Sequence, residues 1–132
     1  MKQGKYESGK PIEEGPFCRV LLGTDDRGTM PCLKEFFEAK SVGDQDKRKM
    51  HGRLRLIARS GFPNNREAYK RFGDLHYVKI HGFRAYCFDR DLNGVKEVIV
   101  CSIEPKKSDD ALSDEIEKRA RRVFAAHCRR YE

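Results

Sequence analysis

The stretch that decides the fold runs from Leu75 to Lys107 and reads LHYVKIHGFRAYCFDRDLNGVKEVIVCSIEPKK. It predicts three strands in tandem, LHYVKI, GFRAYCFDRD and KEVIVCSIEPKK. Along the first two strands, charged and aromatic residues alternate with apolar ones, and side chains two residues apart project from the same face of a sheet. The pattern therefore predicts one buried face and one cationic, aromatic-bearing face suited to a polyanion such as RNA. The residues of this second face are Lys79, His81, Arg84, Tyr86 and Arg90.

The apolar positions of the same strands, together with those of a C-terminal helix, are predicted to supply much of the core. Their parity places them opposite Lys79, Arg84 and Tyr86. They are Val78, Ile80, Phe83, Ala85, Cys87, Ile99, Cys101, Ile116 and Val123.

Upstream of these strands, the pattern changes from polar to helical. Residues 1–14 are polar and broken by glycine and proline, so we interpret them as a flexible arm before a single domain at 15–132. Residues 17–22 predict a short strand. Pro31 suits the first turn of a helix with apolar spacing three and four residues apart, which ends near Gly43.

A second helix is predicted from Asp44, as the cap, to Gly61, with Met50, Leu54 and Ile57 as its apolar stripe. A last helix opens at Ser108 or Ser113 and carries basic residues at its end. The sequence thus predicts an α+β fold: a small twisted antiparallel sheet, with two N-terminal helices and a C-terminal helix packed mainly on one of its faces.

Composition narrows the partner and excludes several classes of protein. The 132 residues include 28 Lys and Arg against 21 Asp and Glu, a formal net charge of +7, which favours an acidic partner such as nucleic acid. No segment has the length and apolarity of a membrane span or a secretory signal, so we expect a cytoplasmic protein. The five scattered cysteines form no CxxC pair, and we expect free thiols and neither a metal nor a cofactor.

Four segments, in order, resemble the RelE/HigB toxin superfamily, specifically its phage-derived HigB-like branch. They are the turn and Pro-started helix DDRGTMPCLKEFF, the helix ending LRLIARSGFPNN, the strand pair LHYVKIHGFRAYCF, and a close in which a Lys pair is followed by EI, Ala120, basic residues and Tyr131. The resemblance covers about Phe17 to Tyr131.

The resemblance implies a RelE-like fold and the toxin of a type II toxin–antitoxin pair, which cuts mRNA on the ribosome without a metal. The implied partners are mRNA, the ribosome and a small antitoxin of helix-turn-helix type. Lys79 and Arg84 take the places of the basic residues of the hairpin, and Tyr131 that of the aromatic near the carboxyl terminus. The predicted catalytic residues are Lys79, Arg84, His81 and Tyr86. The predicted RNA-binding residues are Arg90, Lys106, Lys107, Arg129, Arg130 and Tyr131.

The chemistry of such a site requires the ribose 2′-hydroxyl to be aligned with the adjacent phosphate and the phosphate charge to be neutralised. Arg84 is suited to clamp a phosphate, and either a lysine or His81 is suited to act as the base. Tyr86 or Tyr131 is suited to stack on a base or donate a proton. On this interpretation Arg84→Ala abolishes activity and leaves the fold intact.

Each assignment has a structural alternative. Arg84 could pair with Glu97 across the sheet, His81 could be only a turn residue, and Tyr131 could pack in the core. Ser102, Glu104 and Pro105 also stand where the family commonly has a His and a Phe. These departures favour a RelE-fold protein without nuclease activity that is a degenerate toxin or inhibits a protein target. A third alternative is a basic, phage-derived nucleic-acid-binding accessory protein. The pattern assigns His51 and His76 no partner.

Overall fold

A computed structural model describes residues 6–65, 67–105 and 114–132 of the chain. Two short strands and a single π-helical turn precede the first long helix, and four further strands precede the second. In order, these are β1 (Pro11–Glu14), β2 (Arg19–Leu22), the π-helical turn (Leu33–Phe37), α1 (Asp44–Ser60), β3 (Tyr69–Phe72), β4 (Leu75–Ile80), β5 (Phe83–Leu92), β6 (Val95–Pro105) and α2 (Asp114–Arg130). The fold is therefore α+β.

The six strands form one open sheet in the order β1-β2-β6-β5-β4-β3. Strands β3 to β6 form an antiparallel meander, of which the sequence predicted β4, β5 and β6. The prediction of a wholly antiparallel sheet is wrong, because β2 pairs with β6 in parallel. A parallel pair needs a long crossover, and the segment containing α1 and β3 to β5 supplies it.

One face of the sheet, here called the α1 face, is covered by α1 and the π-helical turn. Met50, Leu54 and Ile57 are fully buried there, which confirms the predicted stripe. Gly43, rather than Asp44, occupies the cap position, and α1 ends before Gly61, whose φ of +85° suits glycine. The predicted second helix is thus confirmed to within one residue of its start.

The opposite face, here called the α2 face, is covered by α2. Tyr77, Phe88 and Ile99 pack there with Ala120 and Val123. The prediction that the helices pack mainly on one face is wrong, because the central strands carry apolar residues at both parities and each face needs its own cover.

The predicted core residues divide between the two faces. Val78, Ile80, Ala85 and Cys87 are buried on the α1 face, with Phe83 half-buried against them. Ile99, Cys101 and Val123 are buried on the α2 face, where Ile116 is half-buried. The register keeps Ile80 and Arg84 on opposite faces, since Ile80 pairs with Phe83 and Lys79 with Arg84.

The two edge strands lie in segments that the sequence assigned no strand. Residues Pro11–Glu14, assigned to the flexible arm, pair antiparallel with β2 as strand β1. Strand β3 pairs with β4 through a turn at Gly73, which has a φ of +61°. Neither α1 nor α2 combines the length and the apolar character that crossing a lipid bilayer requires, in the part of the chain that the structure describes.

Candidate nucleic-acid interface

The face that the sequence predicted to be open is buried beneath α2. Arg84 is only 3% exposed and Tyr86 only 2%. The predicted open, cationic sheet face is therefore wrong. The physical reason is that Tyr77 and Phe88 share the side of Arg84 and Tyr86, and this aromatic surface is large enough to hold the apolar stripe of α2.

Arg84 is packed within the α2 face. Its guanidinium lies 5.5 Å from the centre of the Tyr77 ring, and its cross-strand neighbours are Lys79 and Glu104. Burial raises the pKa of Tyr86, although the nearby guanidinium of Arg84 acts in the opposite direction. The alternative of an Arg84–Glu97 pair is wrong, since Glu97 accepts a hydrogen bond from Arg90 Nε at 3.0 Å.

Several of the predicted RNA-binding residues connect the C-terminal end of the chain to the rest of the molecule through hydrogen bonds and an ion pair. Arg90 donates to the Tyr131 carbonyl at 2.8 Å, and the Tyr131 hydroxyl contacts Ser8. Arg129 pairs with Asp26 at 3.0 Å. Arg130 is exposed and lies beside the turn at Gly28.

Arg90 follows Arg84 by six positions, or about 20 Å along a strand, so the structure does not bring the two predicted groups together. Lys106 and Lys107 lie outside the described residues. The remaining two predicted residues, Lys79 and His81, line a large groove elsewhere.

This groove, here called the basic groove, has a volume of about 1430 Å³. It lies between the loop that follows α1, strand β3 and one part of the α1 face. The register explains its floor: His76 pairs with Cys87 and Asp89 with Val98, so both side chains point to the α1 face. Phe17, from the segment before β2, forms part of its wall.

Positive charge dominates the basic groove. Five Lys or Arg residues and two His residues line it, against Glu67 and Asp89. By the strand register, the side chains of Arg71 and Lys96 lie on the α1 face, whereas those of Lys70 and Lys79 project from the α2 face. The basic residues are Arg53, Lys70, Arg71, His76, Lys79, His81 and Lys96. A concave surface lined by one sign of charge concentrates its field, so the groove attracts anions.

Aromatic rings lie between these charges. Phe62 stacks on His76 with ring centres 4.1 Å apart and planes 8° apart. Lys96 Nζ lies 5.4 Å from the centre of the Phe17 ring. Phe17 remains 45% exposed, which offers an open π-face beside a cationic group. Phe72 is 43% exposed, but its ring lies on the α2 face, 5.4 Å from the centre of the Tyr77 ring.

His76 is neutral in this environment. Burial lowers its pKa, an effect that the carboxylate of Asp89 opposes and the cations Arg71 and Lys96 reinforce. Its Nε2 lies 3.9 Å from Asp89 Oδ2, which is too long for a hydrogen bond. At pH 7 the imidazole therefore serves the groove as a flat, uncharged ring.

A second polar cluster, on the far side of α1, was also missed by the sequence analysis. His51 Nδ1 lies 3.0 Å from Glu13 Oε2, and its Nε2 lies 2.9 Å from the Tyr6 hydroxyl. The sequence pattern assigned His51 no partner, whereas the structure gives it two. Glu13 and His51 are 38 positions apart, and no spacing rule joins residues that meet only because β1 pairs with β2 beside α1.

Within the described ranges, no group of three or more His, Cys, Asp and Glu side chains has an arrangement that holds a metal ion. All five cysteines are free thiols, and four are buried. Burial raises the pKa of the Cys18 thiol to about 11, and those of Cys32 and Cys101 also rise. These thiols act as small apolar side chains at neutral pH.

The chain matches no protein-family model, no curated protein and no solved structure.

Proposed function

We propose that this protein binds single-stranded RNA in the basic groove and that it is an mRNA endonuclease toxin of a toxin–antitoxin pair, acting on the ribosome without a metal. The observation that carries the proposal is the combination, in one groove, of Arg53, Arg71 and Lys96 with the exposed ring of Phe17. The RelE/HigB resemblance adds the reaction and the partners.

The charges of the groove account for affinity to a phosphate backbone. Arg53, Arg71 and Lys96 come from α1, β3 and β6, so they present cations from several sides of the same concavity. Each phosphate that such a cation neutralises releases counterions, and the resulting binding weakens steeply as the salt concentration rises.

The aromatic rings account for a preference for single strands. Bases in a duplex are stacked on one another, whereas an unpaired base can stack on a protein ring and gain about 1–3 kcal/mol. Phe17, which is 45% exposed, has the exposure that such stacking needs.

His81 is the catalytic candidate that fits this location, since the Lys79 side chain projects from the α2 face beside Arg84. In cleavage, the ribose 2′-oxygen attacks the adjacent phosphorus, the bond to the 5′-oxygen breaks, and a cyclic phosphate forms. His81, exposed at the β4–β5 turn, is suited to accept the proton of the 2′-hydroxyl, and Arg71 to neutralise the phosphate oxygens. A protonated lysine of the groove or water then returns a proton to the departing 5′-oxygen.

The burial of Arg84 and Tyr86 favours a second candidate function, RNA binding without cleavage. Arg84 is the residue that the resemblance assigns to phosphate clamping, and the 3% exposure of its side chain keeps it from a phosphate in this structure. Ser102 Oγ donates a hydrogen bond to Glu104 at 2.6 Å, so the carboxylate that neighbours Arg84 on the next strand already has a partner. The two candidates share the basic groove and differ only in chemistry.

One experiment tests both candidates. Binding of a fluorescent 10-nucleotide RNA is measured against salt concentration, and mRNA ends are mapped in cells expressing the protein, with and without translation. Arg71→Ala should weaken binding and reduce the slope of log affinity against log salt by about one, and His81→Ala should abolish translation-dependent cleavage.

Arg129→Ala is the matched control, because it removes a cation that pairs with Asp26 outside the groove. It should leave both binding and cleavage near the unsubstituted level. Binding without new mRNA ends would establish the second candidate. No RNA binding at low salt would refute both.

A further inference from the structure

We propose that the basic groove contains a guanine-reading site formed by Asp89 and Lys96 on neighbouring strands. This inference rests on the proposed RNA binding and specifies which base the groove prefers. The observation behind it is the carboxylate of Asp89. A negative charge at this position does not help the groove to bind phosphate, so it calls for another role.

Asp89 has acceptor capacity that its neighbours do not use. Its Oδ2 lies 3.9 Å from Lys96 Nζ and 3.9 Å from His76 Nε2, both beyond hydrogen-bonding distance. Among the described residues it accepts no hydrogen bond, and its side chain is 34% exposed in the groove. A carboxylate offers about four acceptor positions, so it is suited to a ligand with two adjacent donors.

Lys96 supplies the complementary donor. Its side chain is 40% exposed and comes from β6, beside Asp89 on β5. The pair therefore presents a row of one donor and two acceptors across the floor of the groove.

Guanine is the base whose Watson–Crick edge fits this row. Its O6 accepts from the Lys96 ammonium, while its N1–H and N2–H donate to the two oxygens of Asp89. Adenine and cytosine place a ring-nitrogen acceptor against the carboxylate, and uracil places a carbonyl there. Sites that hydrogen-bond a substrate reject analogues that leave those groups unpaired or opposed.

The surrounding rings support the same placement. Lys96 lies over the Phe17 ring, and Phe62 and His76 form a stacked pair next to Asp89. A purine whose edge meets Asp89 and Lys96 thus has aromatic surfaces against which to lie.

The test compares four RNA decamers that are uridine throughout except for one central guanosine, inosine, adenosine or uridine. Inosine keeps O6 and N1–H and lacks the N2 amino group. We expect the guanosine RNA to bind about tenfold more tightly than the inosine RNA, because inosine loses one charge-assisted hydrogen bond. The preference for the guanosine RNA over the adenosine and uridine RNAs should be larger still.

Asp89→Asn should remove this preference and leave the uridine RNA bound at least as tightly as before, since a repulsive charge is gone. Asp44→Asn is the control: it removes the same charge from an exposed residue at the start of α1 that does not line the groove, and it should keep the preference. Equal binding of all four decamers by the unsubstituted protein would overturn the guanine site while the RNA-binding proposal stands. Absence of binding to every decamer would overturn both.

Discussion

At the scale of single residues, Arg84 shows how burial changes the meaning of a substitution. On an open sheet face its truncation would cost little stability, and loss of activity would report on catalysis alone. In the structure its guanidinium is enclosed and lies over the Tyr77 ring. Any loss of activity on its removal thus mixes a site effect with a folding effect.

We predict that Arg84→Ala lowers the free energy of unfolding by about 2 kcal/mol or more, because it leaves a void beneath α2 and removes the cation that lies over the Tyr77 ring. Urea unfolding measures this. Arg48→Ala, at an exposed position of α1, is the control and should change stability by less than about 0.5 kcal/mol. Equal stability of the two variants would contradict the buried position of Arg84.

At the scale of elements, the long periodic segments were predictable and the short edge strands were not. The stripe of α1 and the alternation in β4 to β6 carry strong local signals. Strand β1 has only four residues and β3 has four, and each is defined by its pairing with a neighbour rather than by its own pattern.

The faces of the sheet were harder to assign for a related reason. Tyr86 pairs with Ser102 and Cys87 with Val100, so Cys101 is an extra residue that interrupts the alternation of β6. Residues 99 and 101 consequently face α2, while residue 103 faces α1. Alternation alone, without the bulge, cannot show that both faces are buried.

The candidate site divides in the same way. Lys79 and His81 lie within the segment that decided the fold, and both are among the residues that line the groove. Phe17, Phe62 and Lys96 reach it from three separate parts of the chain. Only the tertiary structure brings such residues together, so spacing rules could not have found the aromatic walls.

Two glycines give an element-scale prediction with opposite signs. A Cβ on Gly52, in the exposed part of α1, would meet nothing within 4 Å, so Gly52→Ala should stabilise the protein by about 0.5–1 kcal/mol. A Cβ on Gly15 would lie 2.5 Å from the carbonyl oxygen of Ala58, so Gly15→Ala should destabilise it by about 1–3 kcal/mol.

Thermal and urea unfolding of the two variants measure both effects. The pair is informative because the same methyl group is added each time. Destabilisation by Gly52→Ala would contradict an exposed, regular α1, and tolerance of Gly15→Ala would contradict the close approach of the segment before β2 to the end of α1.

At the scale of the whole molecule, the two helices cover opposite faces of the sheet. His127 is a polar residue that this packing buries completely. Its Nδ1 accepts a hydrogen bond from the Thr24 amide at 3.1 Å, which joins α2 to the end of β2. Burial, reinforced by Arg90 and Arg130 and opposed by Glu97, lowers its pKa from 6.5 to about 4.

The depressed pKa predicts how global stability depends on pH. The unfolded chain binds a proton at His127 near pH 6.5, whereas the folded protein does so only near pH 4. Stability from this residue is therefore complete above pH 6.5 and declines as the pH falls from there toward 4. His76, whose pKa is also lowered by burial, adds to the decline in the same direction.

We expect the free energy of urea unfolding to fall between pH 7.5 and pH 5, with His127 as a main contributor. His127→Asn isolates its share, because an amide oxygen can still accept from the Thr24 amide but does not titrate. The variant should be less stable than the unsubstituted protein at pH 7.5, owing to the lost ring, and its stability should fall less steeply toward pH 5.

Paired carboxylates also lose stability in acid, but they do so equally in both proteins, so the difference between the two slopes measures His127. Parallel slopes would show that the imidazole of His127 protonates as readily in the folded protein as in the unfolded chain, which is incompatible with its enclosure between α2 and the sheet.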